Sequence, residues 1–233
     1  MADQPKQIKL ITPRGVAIYP NINRPDKKFP KNGYPVYGVK LAFVPSETVG
    51  FSEFVAKLEA YRAEMEEWVR DDLKSKKEGA KLKSLTIAPV VKAEIDKETG
   101  DETGRVLINA KLVSGGKSKD GREFTQKPDI IDSRGTPLKN PPIIYGGSVL
   151  KLGVMVFGYY SAKDNEVGVS FRLKAAQIIK LGEKRAAFEF GSEDDGYVGD
   201  DDDAPASEFG DETGGTAPAG DQPAQPSGEN SDF

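Results

Sequence analysis

The chain has 233 residues, 33 Lys or Arg against 37 Asp or Glu, and neither cysteine nor histidine. Those two absences remove disulfide frameworks, His/Cys zinc sites and every nucleophile–histidine catalytic system, so an enzyme would have to work with carboxylates, Lys, Tyr or a hard metal ion. The formal charge of −4 hides an asymmetry: residues 189–233 hold 14 acidic and no basic residues, leaving 23 acidic and 33 basic residues in positions 1–188.

A body of that length supports one good core, and no apolar run reaches the roughly 20 residues that span a bilayer. The opening Met1-Ala2-Asp3-Gln4-Pro5-Lys6 lacks the apolar segment of a signal peptide. Residues 8–11 and 15–19 read as short extended pieces broken by Pro13. Residues 21–34 read as a loop, because Asn, Pro and Gly recur there without a period. This segment carries Arg24, Lys27, Lys28 and Lys31 against Asp26, with Phe29 and Tyr34 between the cations. Such a mixture suits single-stranded nucleic acid: cations meet phosphates and rings stack on unpaired bases. The plainer alternative is a solvated loop whose rings cover the core.

Residues 36–44 alternate as a half-buried strand. Phe54, Leu58, Tyr61, Met65, Trp68 and Leu73 form the apolar stripe of a helix over residues 52–77, with Ser52 as N-cap and Gly79 after its end. Trp68 and Met65 are core positions on this pattern, and the acidic outer face points away from any polyanion. Residues 90–95 and 105–113 read as strands around an acidic turn. Asp96, Glu98 and Asp101 in that turn lack the spacing of a calcium loop, so a solvated hairpin tip is expected there and no metal site. Gly116-Lys117-Ser118 resembles the end of a phosphate-binding loop. However, Lys111 stands where that motif needs glycine, and Asp120-Gly121 signals a turn, so the motif is rejected. Residues 124–132 read as extended and Ser133-Arg134-Gly135 as a turn.

In residues 149–160, Leu150, Leu152, Val154 and Val156 share one face; Val149, Lys151, Met155, Phe157 and Tyr159 share the other. Residues 167–174 alternate again, and residues 177–181 complete the body. With the apolar rows inside, the opposite rows collect Lys40, Lys92, Asn109, Lys111, Lys151, Phe157, Tyr159, Arg172 and Lys174, none of them acidic. Many strands, one helix and a face of cations plus rings match a small closed barrel that binds a single strand, the OB-fold. The rows alone equally allow duplex nucleic acid or acidic lipid.

Residues 189–233, with the run Asp200-Asp201-Asp202-Asp203 and a Gly/Pro/Ala-rich stretch after it, bury too little to offset ordering entropy and are expected to be disordered. An acidic arm on a basic body imitates a polyanion and competes for the surface that binds the real one. The alternative is a tail that only aids solubility. The closing Asp232-Phe233 adds nothing to solubility and fits a docking plug.

The chain resembles the single-stranded DNA-binding proteins of tailed bacteriophages. The likeness rests on Asp132-Ser133-Arg134-Gly135 followed by Pro142-Ile143-Ile144 and Gly146-Gly147-Ser148. It rests also on Val167-Gly168-Val169-Ser170 with Leu173 after Tyr159-Tyr160, on the acidic end closing in Asp232-Phe233, and on the opening Thr12-Pro13-Arg14-Gly15-Val16-Ala17. The resemblance implies a mainly β OB-fold in residues 1–188: a five-stranded barrel with one inserted helix and an extra hairpin. It further implies sequence-independent single-strand binding, and a tail in residues 189–233 that contacts replication partners such as a DNA polymerase or a helicase-primase. It places Tyr159 where the family has a binding aromatic. A role in phage replication, recombination and repair within the cytoplasm of the infected bacterial host follows, without enzyme activity or cofactor, and a homodimer is a further partner to expect. The candidate nucleic-acid contacts are Arg14, Tyr19, Arg24, Lys27, Lys28, Phe29, Tyr34, Lys40, Lys92, Lys111, Lys151, Phe157, Tyr159, Tyr160, Arg172 and Lys174. The candidate docking residues are Asp200, Asp201, Asp202, Asp203, Asp232 and Phe233. The competing readings are a carboxylate–metal nuclease using Asp96, Glu98 and Asp101, and an RNA-binding or adaptor protein with a similar surface.

Overall fold

The computed structural model describes residues 3–183; residues 1–2 and 184–233 lie outside the described residues. The chain divides into two units, Met1–Ala186 and Ala187–Phe233, and the fold that follows is that of the first.

Five strands close a barrel. Strand β2 (Gly15–Lys31) pairs with β3 (Tyr34–Phe43), and β3 with β6 (Glu102–Val113), both antiparallel. β6 then pairs in parallel with β11 (Glu166–Lys180), joining Ala110 to Phe171 and Lys111 to Arg172. β11 runs antiparallel to β10 (Val149–Ser161), whose Val149 and Leu150 return to Val16 and Gly15 of β2. This order, with its single parallel seam between the third and fifth barrel strands, is the OB-type Greek-key barrel. Short strands extend it: β1 (Ile8–Ile11) on β10, β4 (Thr86–Ile87) and β9 (Asp129–Ile131) on β11, and β5 (Lys92–Ile95) on β6. β7 (Gly115–Lys117) and β8 (Glu123–Thr125) form a separate hairpin.

Alternation decides which side chains enter the barrel. Val39, Leu41 and Phe43 meet Ile108, Ala110 and Leu112, and Leu150, Leu152, Val154 and Val156 meet Leu173 and Ala176; none of these exceeds 2% exposure. Their neighbours in sequence are thereby forced outward.

Helix α1 (Phe51–Ser75) docks beside the barrel through its apolar stripe. It comes close to the sheet at Gly158 of β10, where a Cβ would lie 2.5 Å from the Met65 side chain. The Tyr61 hydroxyl accepts the Gly158 N–H at 3.1 Å, which fixes the helix on the strand between Phe157 and Tyr159. Ser52 is not the N-cap: Gly50, at φ 76°, holds that place, and no side chain caps the helix. The helix stops earlier than Gly79. Lys77 takes the left-handed conformation (φ 57°) and the Glu78 N–H reaches back to the Leu73 carbonyl, a Schellman-type end that satisfies the last turn without glycine. Gly79 instead opens a second, five-residue helix, α2 (Gly79–Lys83).

The expected loop over residues 21–34 is a strand arm. β2 continues to Lys31 through Pro20, Pro25 and Pro30, paired with β3 only at intervals and with three register shifts. Proline cannot donate to the ladder, so the pairing skips and the period-two signal is lost. Asn32 and Gly33, both at positive φ, make the hairpin turn. The strands read at residues 167–174 and 177–181 are one strand, β11, interrupted by a bulge where Val154 pairs with Leu173 and Gly153 with Ala175.

Candidate nucleic-acid interface

The outward rows of five neighbouring strands form one band. Lys40 on β3 stands opposite Asn109 on β6, and Gly38 opposite Lys111. The parallel seam sets Lys111 beside Arg172, and Arg172 faces Met155 across β10–β11. Met155 in turn faces Lys9 of β1. Lys9, Lys40, Lys111 and Arg172 are all exposed. The Arg172 guanidinium lies over the Phe157 ring, 5.1 Å from its centroid, a cation–π arrangement that orients both groups. Gly38 opposite Lys111 leaves that side chain room, with its Cγ 3.7 Å from where a Cβ would sit.

Acid enters this surface at its margins. Glu166 accepts a hydrogen bond from the Tyr159 hydroxyl at 2.7 Å, and the ring lies across Gly168, where a Cβ would come within 2.7 Å of the phenol oxygen. Burial, then that hydrogen bond and the charge of Glu166, push the Tyr159 phenol up to about 12. Glu94 on β5 accepts from Thr103 Oγ1 and from Arg105 Nε. Its burial works to raise the carboxyl, but those bonds and the Arg105 charge outweigh it and hold the group below the usual range.

The structure brings Lys40, Lys111, Arg172 and Phe157 together and places the other sequence-derived candidates around or away from them. Lys174 is exposed at the β11 bulge, and Lys151 is half-buried opposite Gln177. Lys92 is exposed on β5 opposite Leu107. Tyr19, 75% exposed, borders a cleft that also touches Lys40. Arg24, Lys27, Lys28, Lys31 and Phe29 are carried on the β2–β3 arm, with Phe29 77% exposed. Tyr34 at the tip of that arm, paired with Lys31 across the turn, packs on Gly115 of the second hairpin. Arg14 is exposed between β1 and β2. Tyr160 stands apart from the band. Its ring packs with Trp68, Leu82 and Leu85 against the second core cluster, and its hydroxyl donates to Asn165 at 2.8 Å. Asn165 in turn donates to the Lys81 carbonyl and to Ser84, so this tyrosine braces α2. Asp200, Asp201, Asp202, Asp203, Asp232 and Phe233 lie outside the described residues.

Sequence reasoning missed Lys9, although its place between Ile8 and Leu10 carries the outward signal. It also left out, as candidate contacts, Lys117, Lys119 and Arg122 of the β7–β8 hairpin, which accompany Phe124, 45% exposed over Gly116. Asp96 acts as a turn former, its Oδ1 accepting the backbone N–H groups of Glu98 and Thr99. Among the described residues no group of three or more acidic side chains is placed to hold a metal ion.

No protein-family model and no curated protein sequence matches the chain. Solved structures do. The crystal structure of gp2.5, a single-stranded DNA-binding protein encoded by bacteriophage T7, is 18% identical, with a TM-score of 0.60 over 79% of this chain and 98% of that one. The single-stranded DNA-binding protein of bacteriophage Enc34 in complex with single-stranded DNA is 15% identical, with a TM-score of 0.43 over 76% of this chain and 89% of that one. The chain therefore shares its fold with the T7 protein: an OB-type barrel, mainly β, with a helix inserted between its second and third strands.

Proposed function

We propose that this chain is a non-enzymatic, sequence-independent single-stranded DNA-binding protein that serves phage DNA replication, recombination and repair. One observation carries the reading: the outward band from Lys40 through Lys111 and Arg172 to Lys9, with Phe157 under the arginine. OB-folds bind oligonucleotides on the face of their second and third strands and on the loops joining strands 1–2 and 4–5. Here those are β3 and β6 with Lys40 and Lys111, the basic β2–β3 arm, and the β10–β11 turn beside Tyr159. Spaced cations with interleaved rings neutralise phosphates and stack on bases without reading their edges. The names of the similar structures support the same ligand.

Residues 1–188 act as the binding domain and residues 189–233 as an acidic arm. The arm competes for the band when DNA is absent and is released to replication partners when DNA displaces it. Work in the cytoplasm of the infected host goes with the proposed role; among the described residues no helix is long and apolar enough to cross a membrane.

The test is fluorescence anisotropy with labelled oligo(dT). Tyr159→Ala and Phe157→Ala each weaken binding, by about 1–3 kcal/mol where a ring stacks on a base. A folded double variant with wild-type affinity overturns the assignment. Tighter binding of an RNA oligomer in competition would favour an RNA protein, and magnesium-dependent cleavage of the oligonucleotide would favour a nuclease.

A further inference from the structure

A cleft of about 340 Å³ opens on the barrel's outer side between Ile18–Tyr19, at a register shift in β2, and β5, and it meets the cationic band at Lys40. Its lining is mixed in a way that the band is not. Tyr19 is 75% exposed and Ile95 50% exposed, giving an aromatic and an aliphatic wall that the core does not use. Tyr19 also sits at φ 48°, a left-handed conformation that costs free energy for a bulky residue and here presents its ring to solvent. Lys40, Lys97 and Arg105 line the cleft as cations, the last of them paired to Glu94, and Glu94 and Asp96 line it as carboxylates.

The carboxylates decide what enters. Glu94 is anchored through one oxygen, Oε2, by Arg105 and Thr103, and Asp96 through one oxygen, Oδ1, by two backbone N–H groups. Each therefore keeps its other oxygen as an acceptor. A phosphate is repelled by this pair and meets Lys40 and Lys97 instead. A nucleobase is an apolar plate with polar edges, and it suits a cleft with apolar walls and acceptors. Cytosine presents the N4 amino group as a donor on its edge, and carboxylate side chains accept from it; thymine presents O4 there, lone pair against lone pair.

We propose that this cleft takes one base of the bound strand, stacked on Tyr19, and that Glu94 and Asp96 favour a base with an exocyclic amino group, cytosine over thymine. The proposal rests on the single-strand reading above. It adds one position of base preference to a surface that otherwise tolerates any sequence.

The test uses the full chain with oligo(dC) and oligo(dT) of equal length, in competition anisotropy at fixed salt. Oligo(dC) binds tighter by about five-fold, the lower end of one good base-edge contact. Replacing cytosine by N4,N4-dimethylcytosine removes the donors without touching the protein, and the preference disappears. Glu94→Gln and Asp96→Asn shrink the preference, while Tyr19→Ala weakens both oligomers alike. Equal affinity for oligo(dC) and oligo(dT), or a preference that survives N4 dimethylation, overturns the proposal and leaves single-strand binding standing. Failure to bind either oligomer overturns the single-strand reading itself, and this proposal with it.

Discussion

Replacing Arg172 by alanine tests the cationic band where its geometry is most specific. Arg172 is the member that the parallel seam sets beside Lys111 and that also covers Phe157. On single strands each neutralised phosphate contributes about 0.7 to the slope of log affinity against log salt. If Lys9, Lys40, Lys111 and Arg172 each meet one phosphate, the band supplies a slope of about −2.8, or roughly a 50-fold loss of affinity between 50 and 200 mM salt. Without Arg172 the slope from the band falls to about −2.1 and the loss to roughly 18-fold. The difference in slope between wild type and variant is the quantity to read. Arg172→Lys separates the two roles of the side chain. It keeps the charge and so the slope, but a compact ammonium does not reproduce the planar stack on Phe157, so affinity drops at every salt concentration. The assay is anisotropy of labelled oligo(dT) across a salt series, with circular dichroism to establish folding. A folded Arg172→Ala protein with an unchanged slope refutes the band as the phosphate path.

Gly158→Ala should destabilise the fold by about 1–3 kcal/mol in urea denaturation, because the new methyl group strikes Met65 and strains the seat of α1. The Tyr159 phenol, raised from 10.0 to about 12, favours the folded state while protonated. That stabilisation is full below pH 10.0 and is lost as pH rises through about 12. The difference between alkaline absorbance titrations of wild type and Tyr159→Phe isolates this phenol, and Glu166→Gln should lower its midpoint; a wild-type midpoint at 10 contradicts the Glu166 contact. Deleting residues 189–233 should tighten oligo(dT) binding at low salt, with a gain that shrinks as salt rises. Removing Phe233 alone should leave DNA affinity nearly unchanged and weaken capture of a replication polymerase or helicase-primase. Wild-type affinity of the truncated body at low salt would end the competition model.

Much of the barrel was legible because its strands alternate cleanly. The row Leu150, Leu152, Val154, Val156 fixes the inside of β10, and with it the outward places of Phe157 and Tyr159. What period two does not carry is partnership. Nothing local in Lys111 or Arg172 says that β6 and β11 lie in parallel register, yet that seam closes the barrel and makes the two cations neighbours. The arm was misread because three prolines erase the ladder pattern, although Asn32-Gly33 marks its turn. Tyr160 was grouped with Tyr159 because they are adjacent in sequence, and adjacency in a strand means opposite faces. The short motifs behind the family resemblance prove to be parts of the fold. Asp132 accepts the N–H groups of Arg134 and Thr136 in its turn, and Ser148 Oγ donates to the Tyr145 carbonyl and accepts from Gly182.

Under the proposed function, the band and the arm would divide the work of binding according to how firmly each is held. Lys111 sits between Ala110 and Leu112, which are 0% and 2% exposed, and Arg172 precedes Leu173, at 0%. A strand whose alternate side chains are locked in a core cannot rotate, so these cations are presented at fixed spacing before any ligand arrives, and little ordering entropy is spent there on binding. The arm differs in kind: between Asn21 and Lys31 it pairs with β3 only at Asp26–Val36, and Phe29 stands in solvent next to Lys27 and Lys28 in sequence. A segment held by fewer pairs would spend more ordering entropy on binding, so under the proposed function its cations would contribute less per charge. A sequence-independent binder needs both properties. A rigid face alone would select the strand conformations that fit it, and a sparsely paired arm alone would bind weakly. In this chain they are continuous, because β2 and β3 enter the barrel as two of its walls and leave it as the arm.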